Sequence, residues 1–286
     1  MAFHPHLKQV PSEDVRPTAE TGPADRFPFG RNWIRFASTL NEDRVTEAQD
    51  ALRNMLEAED LHSRRFLDIG SGSGLTSLAA QRLGAAVVSF DYDPLSVACT
   101  EDVRKRFGGE GAGWTITRGS VLDREFMESL GTFDVVCSWG VLHHTGAMWR
   151  ALDLAAQRVR PGGDLYIALY NDQGFRSRYW HAVKRLYNHD ALSRIAVIAL
   201  HIPSVYLARV LRRALARRTR NERGMSLWYD MLDWLGGFPF EVAKPDAVFD
   251  FLRSRGFTLN KLKTCGGSYG CNEYVFRKVG APAVGA

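Results

Sequence analysis

The chain has 286 residues, 45% of them hydrophobic, which is enough for one α/β domain with an appended element and a full core. Its formal net charge of +5 conceals an asymmetry: residues 175–224 hold twelve Lys or Arg against Asp190 and Glu222, a local net of +10, so the remainder carries −5. No apolar run reaches the ~18 residues of a membrane-spanning helix, MAFHPHLKQVPSEDVRP lacks the apolar stretch of a secretion signal, and Cys99, Cys137, Cys265 and Cys271 stand at no metal-ligand spacing. These exclusions give the expectation of a cytoplasmic protein with reduced thiols, no disulfide and no metal.

Residues 1–26 are polar, contain proline and have no apolar periodicity, as expected of a flexible lead-in. Residues 27–60 are expected to form an N-terminal helical lid; within them FPFGRNWIRFAST gathers Phe27, Phe29, Trp33 and Phe36, too much apolar surface to leave in water, and these rings either close the core or lid a pocket. Asn41 or Thr39 is placed to cap a helix over Glu42–Glu57, with Val45, Ala48, Ala51, Leu52 and Met55 at helical spacing. A third unit, residues 61–174, opens on the buried-strand run Phe66–Ile69 and a turn, Gly70, Ser71, Gly72 and Gly74, where missing side chains let a ligand approach the backbone. Leu75–Leu83 reads as a helix presenting its N-terminal amides to that ligand, and Val87–Phe90 as a second strand. Asp91 closes it, 21 positions after Gly70, suitably placed to accept both hydroxyls of a ribose. The turn therefore reads as a nucleoside pocket. A dinucleotide is the weaker reading, because G-x-G-x-x-G needs a small residue where this chain has Leu75.

Further on come WTITRGSVLD (Trp114–Asp123), FDVVCSWGVLHHTG (Phe133–Gly146) and RPGGDLYIALYND (Arg160–Asp172). Together with D-x-G-x-G-x-G from Asp68 to Gly74, these four motifs, in this order, resemble class I S-adenosylmethionine-dependent methyltransferases of the small-molecule type, broadly those acting on quinols and natural products. The resemblance implies a Rossmann-like α/β fold: a seven-stranded, mostly parallel sheet with its last strand antiparallel. That last hairpin would be FTLNKLKTC and NEYVFRKV, after a helix Val248–Arg255 that follows Pro245, and residues 241–280 would complete the core. S-adenosylmethionine is the implied cofactor. Gly70, Ser71, Gly72 and Gly74 would admit its amino-acid end, Asp68 would orient the loop or reach the ammonium through water, and Asp91 would hold the ribose. Adenine would lie against Tyr92 or a neighbouring apolar side chain, with edge contacts from Ser120 and Val121. Here the chain departs from the family, many members of which have an acid directly after the glycine of this loop, whereas this chain has Ser120, with Asp123 three residues later. Ser138 and Trp139 would give backbone contacts to the methionine portion.

His143 and His144 are the candidates for acid/base work, His144 the favoured one, because imidazole titrates near working pH and the resemblance puts their loop at the transferred methyl. Either could instead only hydrogen-bond within the loop. Tyr170 and Asn171 end the fifth strand on the ligand-binding edge, and with Trp228 and Asn272 they make up the expected acceptor pocket; Asn272 and its neighbour Glu273 read equally as hairpin polar residues.

Residues 175–240 form a helical insertion after strand five, with helices over Trp180–Tyr187 and Ala191–Arg218, the second broken near Pro203. Its basic stretch has three readings: a packed helix pair with a solvated end, a membrane-surface element over residues 191–220, or a nucleic-acid groove, the last ranked lowest. The expected function is methyl transfer to a small-molecule or lipid-linked acceptor, with oxygen favoured and nitrogen, sulfur and carbon open. SWGVLHH lacks the Asn/Asp-Pro-Pro-aromatic tetrapeptide of enzymes acting on base amines, so no nucleic-acid partner is expected. An NAD-dependent oxidoreductase and a catalytically inactive partner protein are the alternatives. Oligomeric state is left open, and peripheral contact with the inner membrane surface is the alternative to a purely cytoplasmic location.

Overall fold

The computed structural model describes residues 27–108, 113–207, 210–211, 227–267 and 270–280, without the side chains of residues 227–230 and 233. The lead-in 1–26, much of the basic stretch and the Trp228 side chain lie outside the described residues.

The chain runs α1 (Gly30–Ala37), α2 (Glu42–Leu56), β1 (Arg65–Ile69), α3 (Leu75–Arg82), β2 (Ala86–Asp91), α4 (Pro94–Phe107), β3 (Trp114–Arg118), α5 (Arg124–Ser129), β4 (Phe133–Trp139), α6 (Met148–Gln157) and β5 (Val159–Tyr170). Then follow α7 (Phe175–His189), α8 (Ala191–His201), α9 (Leu227–Gly236), α10 (Pro245–Arg253), β6 (Phe257–Lys263) and β7 (Cys271–Lys278). The seven strands form one sheet in the order β3-β2-β1-β4-β5-β7-β6. Strands β1 to β5 are parallel, and β7 runs antiparallel between β5 and β6. Covered on both faces, β1 and β2 have near-continuous apolar sequences in place of alternation. Their opposite faces feed two cores. Phe66, Val135, Cys137, Tyr166 and Val275 meet α2, α3 and α4, while Leu67, Val136, Leu165 and Ile167 meet α6 and α10. The strand order reverses between β1 and β4, where a doubly wound sheet opens a crevice at its carboxyl edge.

Several local details differ from the sequence reading. Of the two cap candidates for α2, Asn41 does the work, its side chain accepting the Arg44 N–H at 3.1 Å, while the Thr39 hydroxyl donates to the Phe36 carbonyl. The first aromatic segment contains a helix of its own, α1. The Pro-Gly-Gly turn lies inside β5, where the register against β4 shifts between Phe133 and Val135. A Cβ on Gly163 would stand 2.8 Å from the Asp134 carbonyl, so this close approach of strands requires glycine. Near Pro203 the helical path widens into a π turn, Ile202–Leu207, which accommodates a ring that lacks an N–H and would clash in regular α geometry. The insertion also builds a third core of Trp180, Val183, Tyr187, Val197, Met231, Leu235 and Phe240, against which Tyr170 of β5 packs.

Candidate cofactor and acceptor site

At the carboxyl end of β1 the chain reverses through a turn pinned to β2. The Gly70 and Ser71 N–H groups both donate to the Phe90 carbonyl, at 2.9 and 3.0 Å. Gly70, Gly72 and Gly74 have φ of 76°, 54° and 77°, a left-handed backbone that glycine adopts without strain. Asp91 braces the turn: its Oδ2 accepts the Gly72 N–H at 3.0 Å and its Oδ1 the Asp93 N–H at 2.9 Å. Each oxygen retains acceptor capacity, and burial pushes the carboxyl up to about 6. Beneath it, buried Asp68 accepts the Ser77 hydroxyl at 2.6 Å, tying β1 to the first turn of α3, and burial pushes this carboxyl up to about 6 as well. Ser71 pairs with Thr100 of α4 at 2.9 Å, so its hydroxyl anchors the turn from behind.

Beyond Asp91, Tyr92 is 42% exposed at the rim. The loop after β3 is built largely for itself: Ser120 Oγ accepts the Leu122 N–H, Val121 is buried in the core, and the Asp123 carboxylate caps α5 through the Phe126 N–H at 3.1 Å. Asp123 is therefore a helix cap, which explains why it stands three residues past Ser120.

The β4 end carries the acceptor-side candidates. Buried Ser138 donates to the Ile69 carbonyl at 3.2 Å and ties β4 to β1. Trp139 Nε1 donates to Glu273 at 3.1 Å, and Glu273 also accepts from the Tyr166 hydroxyl at 2.6 Å and from Lys263 at 3.0 Å. Burial would raise this carboxyl, but these donors outweigh it and hold it below the usual glutamate range. Gly140 follows with φ of 77° and open space where a Cβ would stand.

The two histidines have different surroundings. His143 is buried, and its Nδ1 accepts the Tyr170 N–H at 3.3 Å, which assigns its proton to Nε2. His144 is half-buried, and its Nδ1 donates to the Pro239 carbonyl at 2.6 Å, which assigns the opposite tautomer and leaves the Nε2 lone pair available. Burial pushes His144 down to about 3 and His143 well below the ordinary histidine value, so both are neutral at pH 7. Nearby, the ammonium of buried Lys184 donates to the Trp234 carbonyl and lies over the Trp234 and Phe240 rings at 4.5 and 4.9 Å. The Tyr170 ring packs against His143 at 3.9 Å, tilted by 37°. The Asn272 amide bonds Asn171 and the Cys265 N–H, so it closes the hairpin and holds Asn171 in place.

The N-terminal aromatic segment links these parts. Phe29 packs on His144 at 4.8 Å, the Gly30 N–H donates to Asp93 at 2.9 Å, and the Phe27 N–H to the Phe238 carbonyl at 3.0 Å. The Trp33 indole lies over the glycine turn, 3.0 Å from where a Gly72 Cβ would be. Trp33 and Phe36 also pack against the α2–α4 core. Sequence reasoning missed Pro239 and Lys184. A lysine amid helical apolar spacing gave only a charge, and a carbonyl acceptor leaves no sequence signal.

This sheet order, with β7 reversed and a glycine turn at the β1 end answered by an acid at the end of β2, is the class I S-adenosylmethionine-dependent methyltransferase fold. Residues 40–219 match the methyltransferase domain family, and the chain belongs to that family. It is similar to the ubiquinone biosynthesis O-methyltransferase of Rhizobium leguminosarum bv. trifolii, 28% identical over 174 residues, covering 56% of this chain and 66% of that one. The namesake from Parvibaculum lavamentivorans is 38% identical over 114 residues, 40% of this chain and 42% of that one. The chain thus spans two thirds or less of these two curated relatives. Among solved structures, magnesium protoporphyrin IX methyltransferase from Synechocystis PCC 6803, crystallised with bound S-adenosylhomocysteine, superposes with a TM-score of 0.50 at 13% identity, over 88% of this chain and 89% of that one. An O-methyltransferase family protein from Burkholderia thailandensis gives 0.52 at 12% identity, over 89% and 59%. At these identities the structural likeness speaks for the fold alone. Family membership removes the NAD-dependent oxidoreductase reading.

Proposed function

We propose that this chain moves the methyl group of S-adenosylmethionine to a hydroxyl oxygen of a small-molecule or lipid-linked acceptor, with His144 receiving the acceptor's proton. The observation that carries this reading is the 2.6 Å bond from His144 Nδ1 to the Pro239 carbonyl, which presents a neutral Nε2 lone pair beside the β4 end.

The residues fit the donor. Gly70, Gly72 and Gly74 hold the turn in a left-handed backbone, with Val141, Trp33 and Thr100 close to where their Cβ atoms would stand, and each Asp91 oxygen keeps acceptor capacity for one ribose hydroxyl. Tyr92 offers adenine a face, with Ser120 and Val121 at its edge and the Ser138–Trp139 backbone beside the methionine portion. When bound, the donor supplies an electrophilic methyl on a sulfonium. The chain has to hold donor and acceptor in line at ~3–3.5 Å and exclude water. Phe29, Trp33, Tyr170 and Trp234 supply that apolar enclosure. As the oxygen–carbon bond forms and the carbon–sulfur pair returns to sulfur, the acceptor oxygen becomes a stronger acid than even a weakened imidazolium, so its proton passes downhill to Nε2 and then to solvent. Burial, and to a lesser extent the positive charge of Lys184, keeps His144 uncharged in the resting enzyme. The name shared by the two curated relatives agrees with oxygen as acceptor.

Incubating the purified chain with methyl-labelled donor and parallel phenol, catechol, amine and thiol acceptors tests the reading. Label is expected on oxygen; label on amines or thiols with the phenols untouched would overturn it. Trp33→Ala should weaken S-adenosylhomocysteine binding about two- to tenfold, the ~0.5–1.5 kcal/mol of one aromatic contact. Unchanged affinity by calorimetry would make Trp33 a core residue only.

A further inference from the structure

One face of α8 is satisfied within the insertion, where Val197 and His201 are buried. Its opposite face is not. Leu192, Ile195 and Leu200 are 80%, 64% and 72% exposed, and Leu207, which ends the π turn, and Leu211 beyond it are 51% and 61% exposed. With Ala196 and Ala199 they recur at helical spacing, so α8 is apolar on both sides. A single exposed leucine is ordinary on a soluble surface; a continuous row of them marks an interaction face. The row lies within a stretch of sequence that carries twelve Lys or Arg, Lys184 among them buried, against two acids. Among the described residues no helix is long and apolar enough to cross a membrane.

An anionic bilayer surface is the occupant that both features favour. Apolar side chains enter the boundary between headgroups and acyl chains, and guanidinium groups approach lipid phosphates. A second copy would set one strongly basic segment against another, which like-charge repulsion opposes. We propose that the outward face of α8 and the π turn docks this protein peripherally on an anionic membrane surface. The buried face of α8 shares a core with Phe240 and Tyr170, so docking sets the acceptor side of the pocket next to the lipid. The proposal does not depend on which atom accepts the methyl group.

Co-sedimentation of the full chain with vesicles of phosphatidylcholine alone, or mixed with phosphatidylglycerol, tests it. The protein is expected to pellet with the mixed vesicles at low salt, and to partition about tenfold less at high salt or without phosphatidylglycerol. The combined variant Leu192→Ser, Ile195→Ser, Leu200→Ser should lose binding by at least about tenfold. These side chains are solvated, so its circular dichroism and S-adenosylhomocysteine affinity should match those of the unaltered chain. Wild-type protein that stays in the supernatant with mixed vesicles, or a variant that pellets equally, would overturn the proposal. So would a variant that only turns a dimer into a monomer in the ultracentrifuge, which would assign the face to a second copy.

Discussion

His144→Ala is expected to lower kcat by about 10²- to 10⁴-fold, the usual contribution of a positioned proton acceptor, while S-adenosylhomocysteine affinity stays within about threefold. The split follows from geometry: the imidazole stands at the β4 loop, held by Pro239 and Phe29, and makes no bond to the glycine turn or to Asp91. His143→Ala should behave differently, because His143 is buried and accepts the Tyr170 N–H. Losing that acceptor orphans a strand-end donor and removes a packed ring, so stability should fall by ~2–3 kcal/mol. The pH dependence separates the roles further. Burial holds His144 down to about 3, and its neutral form is the active one, so kcat at saturating donor should stay flat from pH 8 to about 5. A limb of unit slope near pH 6.5 that vanishes in His144→Ala would mean that the residue titrates freely. Full kcat in His144→Ala would remove it from catalysis.

Asp91→Ala should weaken donor binding about 30- to 150-fold, since a carboxylate accepting two hydroxyls contributes ~2–3 kcal/mol. The alanine variant also leaves the Gly72 and Asp93 N–H groups without their acceptor, so Asp91→Asn is the cleaner partner, keeping one oxygen for the turn. The sign of the pH effect follows from burial. Asp91 holds its proton up to about 6, whereas ribose hydroxyls are best accepted by the charged carboxylate, so donor binding releases a proton in that range. Affinity should therefore fall about tenfold between pH 7 and pH 5, and Asp91→Asn should abolish that fall. Stability of the unliganded chain should run the other way. With Asp68 and Asp91 both raised to about 6, the folded form binds more protons than the unfolded one between pH 4 and 6 and loses stability as pH rises through that range. Calorimetric affinity that is level between pH 7 and pH 5 would detach Asp91 from the donor.

The sheet was legible because its strands are buried on both faces and bounded by glycine: Phe66–Ile69 and Val87–Phe90 announce themselves in any reading frame of hydrophobicity. Asp91 was legible for the same reason, as a polar residue ending an apolar strand. Helix α1 was not, because GRNWIRFA is too short and aromatic for a helical period to stand out. Nor could sequence rank His143 against His144. Adjacent residues share every local signal, and the difference lies in Tyr170 and Pro239, the latter 95 positions from His144. Glu273, read as open between hairpin and pocket, gathers Trp139, Tyr166 and Lys263 from three separate strands, which only register could reveal. The π turn at Pro203 was missed because proline states that a regular helix cannot continue and leaves open what replaces it.

The central claim, that the glycine turn and Asp91 together grip an adenosyl sulfonium, is tested most directly by calorimetry of the purified chain at pH 7 with S-adenosylhomocysteine and, in parallel, NADH. One saturable site for S-adenosylhomocysteine, weakened in Asp91→Asn, is expected, with no heat from NADH. Saturable NADH binding with none for S-adenosylhomocysteine would contradict it.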